Sequence, residues 1–227
     1  MNKFKTILSF PVDLYFSMIQ ALPGSIGNKL RYYYWKSRLG HLGHGSIISE
    51  GVRIDHPKNV FIGDDCHIDR YSILIAGVPR SSRKTADLEN QHYNHSPGEI
   101  HIGRTVHVAP FTLINGIGGI SIGNYSGIAS GAKLYSYSHH YRNTTKSDGI
   151  QYLFANRAKK ENQFMLRGPI VVEDFCAVGL NAIVFPGVHI GKGSWVGAGA
   201  VVSKDIGERK IYTNLEEKSI DGLSLPY

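Results

Sequence analysis

An aliphatic residue returns at every sixth position towards the end of this chain: Val172, Val178, Val184, Ile190, Val196 and Val202. The same spacing runs through three shorter blocks upstream: Ile62, Ile68, Leu74; then Ile102, Val108, Ile114; then Ile122, Ile128, Leu134. Four residues after most of these aliphatics stands a small residue, as in Cys66, Ser72, Thr112, Ser126, Ala132, Ser138, Cys176, Ala182, Ser194 and Ala200. A period of six matches neither the alternation of a half-buried strand nor the roughly 3.6-residue period of a helix. It fits a coil with three flat faces, one hexad per face, in which each aliphatic residue sits above its equivalent one coil earlier. The expected class is therefore all-β, a parallel β-solenoid with both repeating positions turned inward. Gly63, Gly103, Gly123, Gly179, Gly191 and Gly197 each follow an aliphatic residue, where tight corners of positive φ are expected. The repeat leaves the hand of the coil open, since parallel crossovers in general prefer the right hand.

The two cysteines, Cys66 and Cys176, are too few for a disulfide framework and fall at the small inward position, so they read as core residues. A chain of 227 residues with 42% hydrophobic content can enclose one substantial core. Residues 44–206 are expected to hold it, with a helical segment over 1–43 and a tail over 207–227. The net charge of +7 is concentrated at the N-terminal end, where residues 1–40 carry six basic side chains against Asp13 alone. That end is also apolar and aromatic, from Phe4 and Ile7 through Met18 and Leu22 to Tyr32, Tyr33, Tyr34 and Trp35. Apolar residues flanked by cations and aromatics suggest an amphipathic element on an anionic membrane surface rather than a nucleic-acid site. Packing on the main domain is the equal alternative. Pro11, Asp13, Ser9, Ser17 and Gln20 interrupt the run, which makes a spanning helix unexpected, and no small-residue cleavage site follows it, which makes a signal peptide unexpected.

The repeat breaks at residues 76–99 and 139–169, and breaks in a solenoid are where function concentrates. The second opens with the run Ser136–Tyr137–Ser138–His139–His140–Tyr141. His139 stands directly after a regular hexad, so its backbone is expected to be held by the stack while its side chain faces a groove. Imidazole, with an ordinary pKa of about 6.5, suits general-base work near neutrality. His140 is the alternative base or an acceptor contact. His92, His95, His101 and His107 read as surface residues.

The blocks "IGDDCHIDRYSI", "IGNYSGIASGAKL" and "VGLNAIVFPGVHIGKGSWVGAGAVVSKD" resemble the bacterial hexapeptide-repeat acyltransferases, most of all the sugar O-acetyltransferases. The likeness covers about residues 45–206. It implies a left-handed parallel β-helix, a homotrimer with active sites between subunits, acetyl-CoA as donor and a direct transfer to the acceptor. It maps the catalytic histidine onto His139 and the acetyl-CoA contacts onto Leu180, Ala198, Ser203 and Lys204. The acceptor is expected near His140, Tyr141, Thr112 and Asn115, although Thr112 stands where many of these enzymes carry asparagine. A sugar or lipid-linked glycan of surface polysaccharide synthesis (O-antigen or capsule), acetylated in the cytoplasm or at the inner membrane face, is the expected substrate. N-acetylation of an amino sugar or antibiotic is an alternative. So is a γ-carbonic-anhydrase-like metal hydrolase, but that chemistry needs three histidines on one zinc. His139 and His140 are adjacent and His101 and His107 fall on different faces, so no metal is expected.

Overall fold

A computed structural model describes residues 14–78, 83–214 and 217–219. Six coils stack along one axis, each contributing a short strand to each of three parallel faces. The first face runs through His41–Leu42, Val60–Ile62, Ile100–Ile102, Ile120–Ile122, Ile170–Val172 and His189–Ile190. The second runs from Ile47–Ile48 to Trp195–Val196 and gains Lys210–Tyr212, and the third runs from Arg53–Asp55 to Val201–Val202. This is the parallel solenoid that the period of six demands. The coil begins at His41, three residues before the expected boundary, because His41–Leu42 already pairs with Phe61 and Ile62. The tail likewise extends the coil: Ile211 pairs with Trp195, and Glu217–Ser219 turns back antiparallel onto Lys210–Tyr212.

Every aliphatic residue of the repeat is at most 4% exposed, so each ladder forms a continuous column inside the prism. Burying one such side chain contributes about 1.5–3 kcal/mol. The small position is buried at Cys66, Ser72, Thr112, Ser126, Ala132, Cys176, Ala182, Ser194 and Ala200, but not at Ser138, which has already left the coil. Both cysteines are free, and burial pushes both thiols up from their ordinary pKa. The glycines that follow the aliphatics serve a purpose other than positive φ. A Cβ at Gly123 would lie 2.4 Å from the backbone nitrogen of Asp174, so only glycine lets successive coils approach this closely. Positive φ falls two residues later, at Asp65, Thr105, Tyr125 and Asn181. A non-glycine residue there costs about 1–2 kcal/mol, against which the stack sets a coil-to-coil bond such as Tyr125 N–H to the Arg104 carbonyl, 3.0 Å.

The N-terminal segment closes the open end of the prism. Helices over residues 14–21 and Gly24–Lys36 bury Ile19 and bring Trp35, with Leu39 just beyond, into the core of the first coil, each at most 4% exposed. Arg31, fully buried, donates from Nε to the Ile48 carbonyl (2.8 Å) and from Nη1 to the carbonyls of Ile19 and Leu22. Leu14, Tyr15, Met18, Leu22, Ile26 and Tyr33 stay exposed on the outer side. Packing on the domain and an outward apolar surface thus coexist in one element. Phe4, Ile7, Leu8, Phe10 and Val12 lie outside the described residues. No helix among the described residues is long and apolar enough to cross a membrane.

Candidate functional site

The two breaks in the repeat fold together. Lys84–Asp87, from the first insertion, pairs with Phe164–Arg167 from the second, which pairs antiparallel with Tyr137–His139. His139 is therefore held by a small three-stranded sheet beside the prism, not by the coil stack as its position after a hexad suggested. Ser136 fixes the point of exit: its buried hydroxyl donates to the Asn115 carbonyl (2.6 Å) and accepts from Gly118 N–H (2.9 Å). Arg167 joins the insertions a second time through two bonds to the Asp87 carboxylate, 2.6 and 3.0 Å.

His139 is partly exposed, with the Phe154 ring edge-on at 5.4 Å. Its Nδ1 is buried and has no hydrogen-bond partner. Burial first, and the cation of Arg83 second, hold this imidazole below its ordinary pKa. It is thus neutral near pH 7 and able to take a proton. Arg83, from the first insertion, escaped the sequence reading because only the pairing of the two insertions brings it to His139.

The loop that follows His139 reaches the last coil: Arg142 Nη2 donates to the Ser203 carbonyl at 3.4 Å, and Tyr141 packs on Phe185 with ring centroids 4.9 Å apart. Leu180 and Ala198 are exposed at the corners leading into the last two strands of the third face, and Ser203 and Lys204 are exposed where the last one ends. Leu180 and Ala198 therefore lie at one edge of that face, whereas Ser203 and Lys204 lie at the opposite edge, where the His139 loop descends. Asn115, at the end of a third-face strand, lies within 3.5 Å of the Tyr137 carbonyl and so belongs to the same edge. His140 stacks on Phe164 at 4.2 Å and its Nδ1 accepts from Asn143 N–H, an arrangement that shapes the loop. Thr112 does not join them. It is 1% exposed, and its hydroxyl donates to the Ala109 carbonyl, so it holds a corner from inside the coil instead of facing an acceptor. Trp195 points outward and lines a groove of about 300 Å³ with Leu180, Ala129 and Gly179.

The coil stack also assembles histidine and carboxylate groups that the spacing did not reveal. Among the described residues, His67 with Asp69 and His107, His92 with Glu173 and His189, and His95 with Glu99 and His101 each bring their ligand atoms within 4.8 Å. The signal was present but displaced: His67 and His107 both precede an inward aliphatic of the second face, and the intervening insertion obscures that they occupy successive coils. His101 and His107 do lie on different faces, as their spacing requires.

Residues 169–204 match the model of the hexapeptide repeat of succinyl-transferase. The chain is 24% identical to the dTDP-4-amino-4,6-dideoxy-D-glucose acyltransferase of Escherichia coli over 164 residues, 72% of each chain. It is 45% identical over 38 residues to the 2,3,4,5-tetrahydropyridine-2,6-dicarboxylate N-acetyltransferase of Staphylococcus aureus, 17% of this chain and 16% of that one. Its fold is similar to that of AntD, an N-acyltransferase from Bacillus cereus solved with dTDP and 3-hydroxybutyryl-CoA. The TM-score is 0.64 at 21% identity, covering 83% of this chain and 85% of that one. Residues 169–204 thus carry a hexapeptide repeat, and the chain shares the parallel β-helix fold of AntD.

Proposed function

We propose that the protein transfers an acyl group, acetyl in the simplest case, from acyl-CoA to a hydroxyl of a sugar, with His139 as general base. The observation that carries this reading is the imidazole itself, kept neutral by burial and Arg83 beside an edge flanked by Ser203 and Lys204. His139 takes the acceptor's proton as its oxygen attacks the thioester carbonyl. The new C–O bond forms, the C–S bond breaks, and the thiolate leaves as CoA thiol with that proton. A backbone N–H of a neighbouring coil would hold the oxyanion. The exposed third-face edges suit a pantetheine arm, and the Lys204 cation suits the nucleotide phosphates.

The Escherichia coli relative is named for acyl transfer to a dTDP-linked amino sugar, and AntD was solved with dTDP and 3-hydroxybutyryl-CoA, which supports an acyl-CoA donor and a sugar acceptor. The name of that relative also favours a second reading, in which the acceptor is the amine of an amino sugar. A hydroxyl needs a base more than a neutral amine does, and the depressed pKa of His139 supports the first. A panel of plain sugars, amino nucleotide sugars and lipid-linked oligosaccharides, followed by thiol release from acetyl-CoA, separates them: turnover confined to amines would replace the hydroxyl reading.

The reading extends to a homotrimer with sites between subunits and a place in O-antigen or capsule synthesis. Tyr71, Phe111, Leu180 and Val201 leave apolar surface exposed along the third face and its entry edge, which a neighbouring subunit would cover. Light scattering tests this directly, and a monomer at working concentration refutes it. The outward apolar side of the N-terminal helices, with Lys29 at its border, suits the anionic inner face of a membrane. Substituting Met18→Glu together with Ile26→Glu should release the protein from anionic vesicles; unchanged binding would remove the membrane from the proposal.

A further inference from the structure

We propose that His67, Asp69 and His107 form a binding site for a divalent transition-metal ion of zinc type on the second face, apart from the His139 edge. His67 and His107 are directly paired partners in adjacent parallel strands, so their side chains leave the same side of the sheet one coil apart. Asp69 stands two residues beyond His67, and the coil fixes both backbones through His67 N–H to Val106 and Asp69 N–H to Val108, 2.9 and 2.8 Å. The imidazole Nε2 atoms lie 4.0 Å (His67) and 3.5 Å (His107) from the two oxygens of the Asp69 carboxylate. Two neutral imidazoles and one carboxylate on one side of an ion form the two-histidine, one-carboxylate arrangement that leaves positions open for water or a ligand.

Tetrahedral zinc with bonds of about 2.0–2.1 Å places its ligand atoms roughly 3.3 Å apart. The observed separations thus need contraction by well under an ångström for each Asp69 contact, within reach of side-chain rotation. The histidine side chains are 42% and 54% exposed, so an ion can enter and the rings can turn. Ser49 Oγ, 2.9 Å from His67 Nε2, would give up that bond and meet a metal-bound water.

Geometry separates this cluster from the other two. The rings of His95 and His101 lie face to face at 3.5 Å and 11°, and those of His92 and His189 at 3.7 Å and 8°. Stacked rings in van der Waals contact aim their in-plane lone pairs side by side, not at one ion. In each of those clusters the carboxylate already holds one imidazole at 2.8 Å, and one histidine belongs to the 76–99 insertion. The rings of His67 and His107 are 5.3 Å apart and inclined by 25°, which leaves room for an ion between their nitrogens.

The test is calorimetric titration of the tag-free, chelator-treated full chain with zinc(II), repeated with cobalt(II) for its visible absorption bands. One saturable equivalent per chain is expected, with a cobalt spectrum of nitrogen and oxygen ligation. His107→Ala and Asp69→Asn should each weaken binding by about tenfold or more, while His95→Ala leaves it unchanged. Circular dichroism of each variant checks that the coil is intact, as expected for side chains outside the core. Absence of saturable binding, equal binding in all variants, or loss in His95→Ala alone would each overturn the site.

Discussion

His139 pairs with Met165 across two antiparallel strands that lie outside the coil, and Met165 in turn pairs with Thr85 of the first insertion. Both insertions thus hold one imidazole in place. His139→Ala is expected to lower acyl transfer by about 10²–10⁴-fold, read as thiol release, with little change in melting temperature because the side chain packs outside the main core. Full activity would take His139 out of the mechanism.

Burial, and after it the Arg83 cation, set the acid limit of the proposed reaction. Both lower the His139 pKa, so the neutral base persists below pH about 6.5. Arg83→Gln removes one of these causes and raises the pKa. The acid limb of the rate profile should therefore move to higher pH, with the alkaline plateau less affected. The linkage has the matching sign: the folded state disfavours the charged ring, so this group makes stability rise with pH between its folded pKa and about 6.5. An acid limb that does not move in the variant would separate Arg83 from the base.

Adjacent residues of one strand should respond to truncation to very different degrees. Leu74 is fully buried while its neighbour Ile73 is 37% exposed on the third face. Leu74→Ala is expected to cost about 2–5 kcal/mol, and Ile73→Ala about 0.5 kcal/mol or less in an isolated chain. Denaturant titration measures both. A larger loss at Ile73 that depends on protein concentration would point to a subunit contact at that face.

The cap over the first coil depends on a planar cation. Arg31 satisfies the carbonyls of Ile48, Ile19 and Leu22, donates from Nη2 to Asn28 Oδ1 at 2.6 Å, and lies 3.7 Å from Glu50. Arg31→Leu leaves those acceptors unpaired in a dry setting and should cost about 3 kcal/mol or more. Lys at this position should not restore the loss, since an ammonium cannot span the fork. Hydrogen exchange of the Ile47–Ile48 amides, faster in both variants, is the local readout.

The six-residue period by itself determined the solenoid, its three faces and which residues fill it, because a column of stacked aliphatics leaves no other register that keeps them from water. The same period made Cys66 and Cys176 core residues and exposed the two insertions as departures. His139 was legible as the residue at a break, and Leu180, Ala198, Ser203 and Lys204 as positions late in the coil. What only the tertiary structure decided is how segments distant in sequence meet. Strand pairing between the insertions brought Arg83 to His139. Stacking across the first insertion set His67 against His107. These contacts follow from backbone pairing between coils, which a local period specifies for the strands of the repeat but not for the loops that leave it.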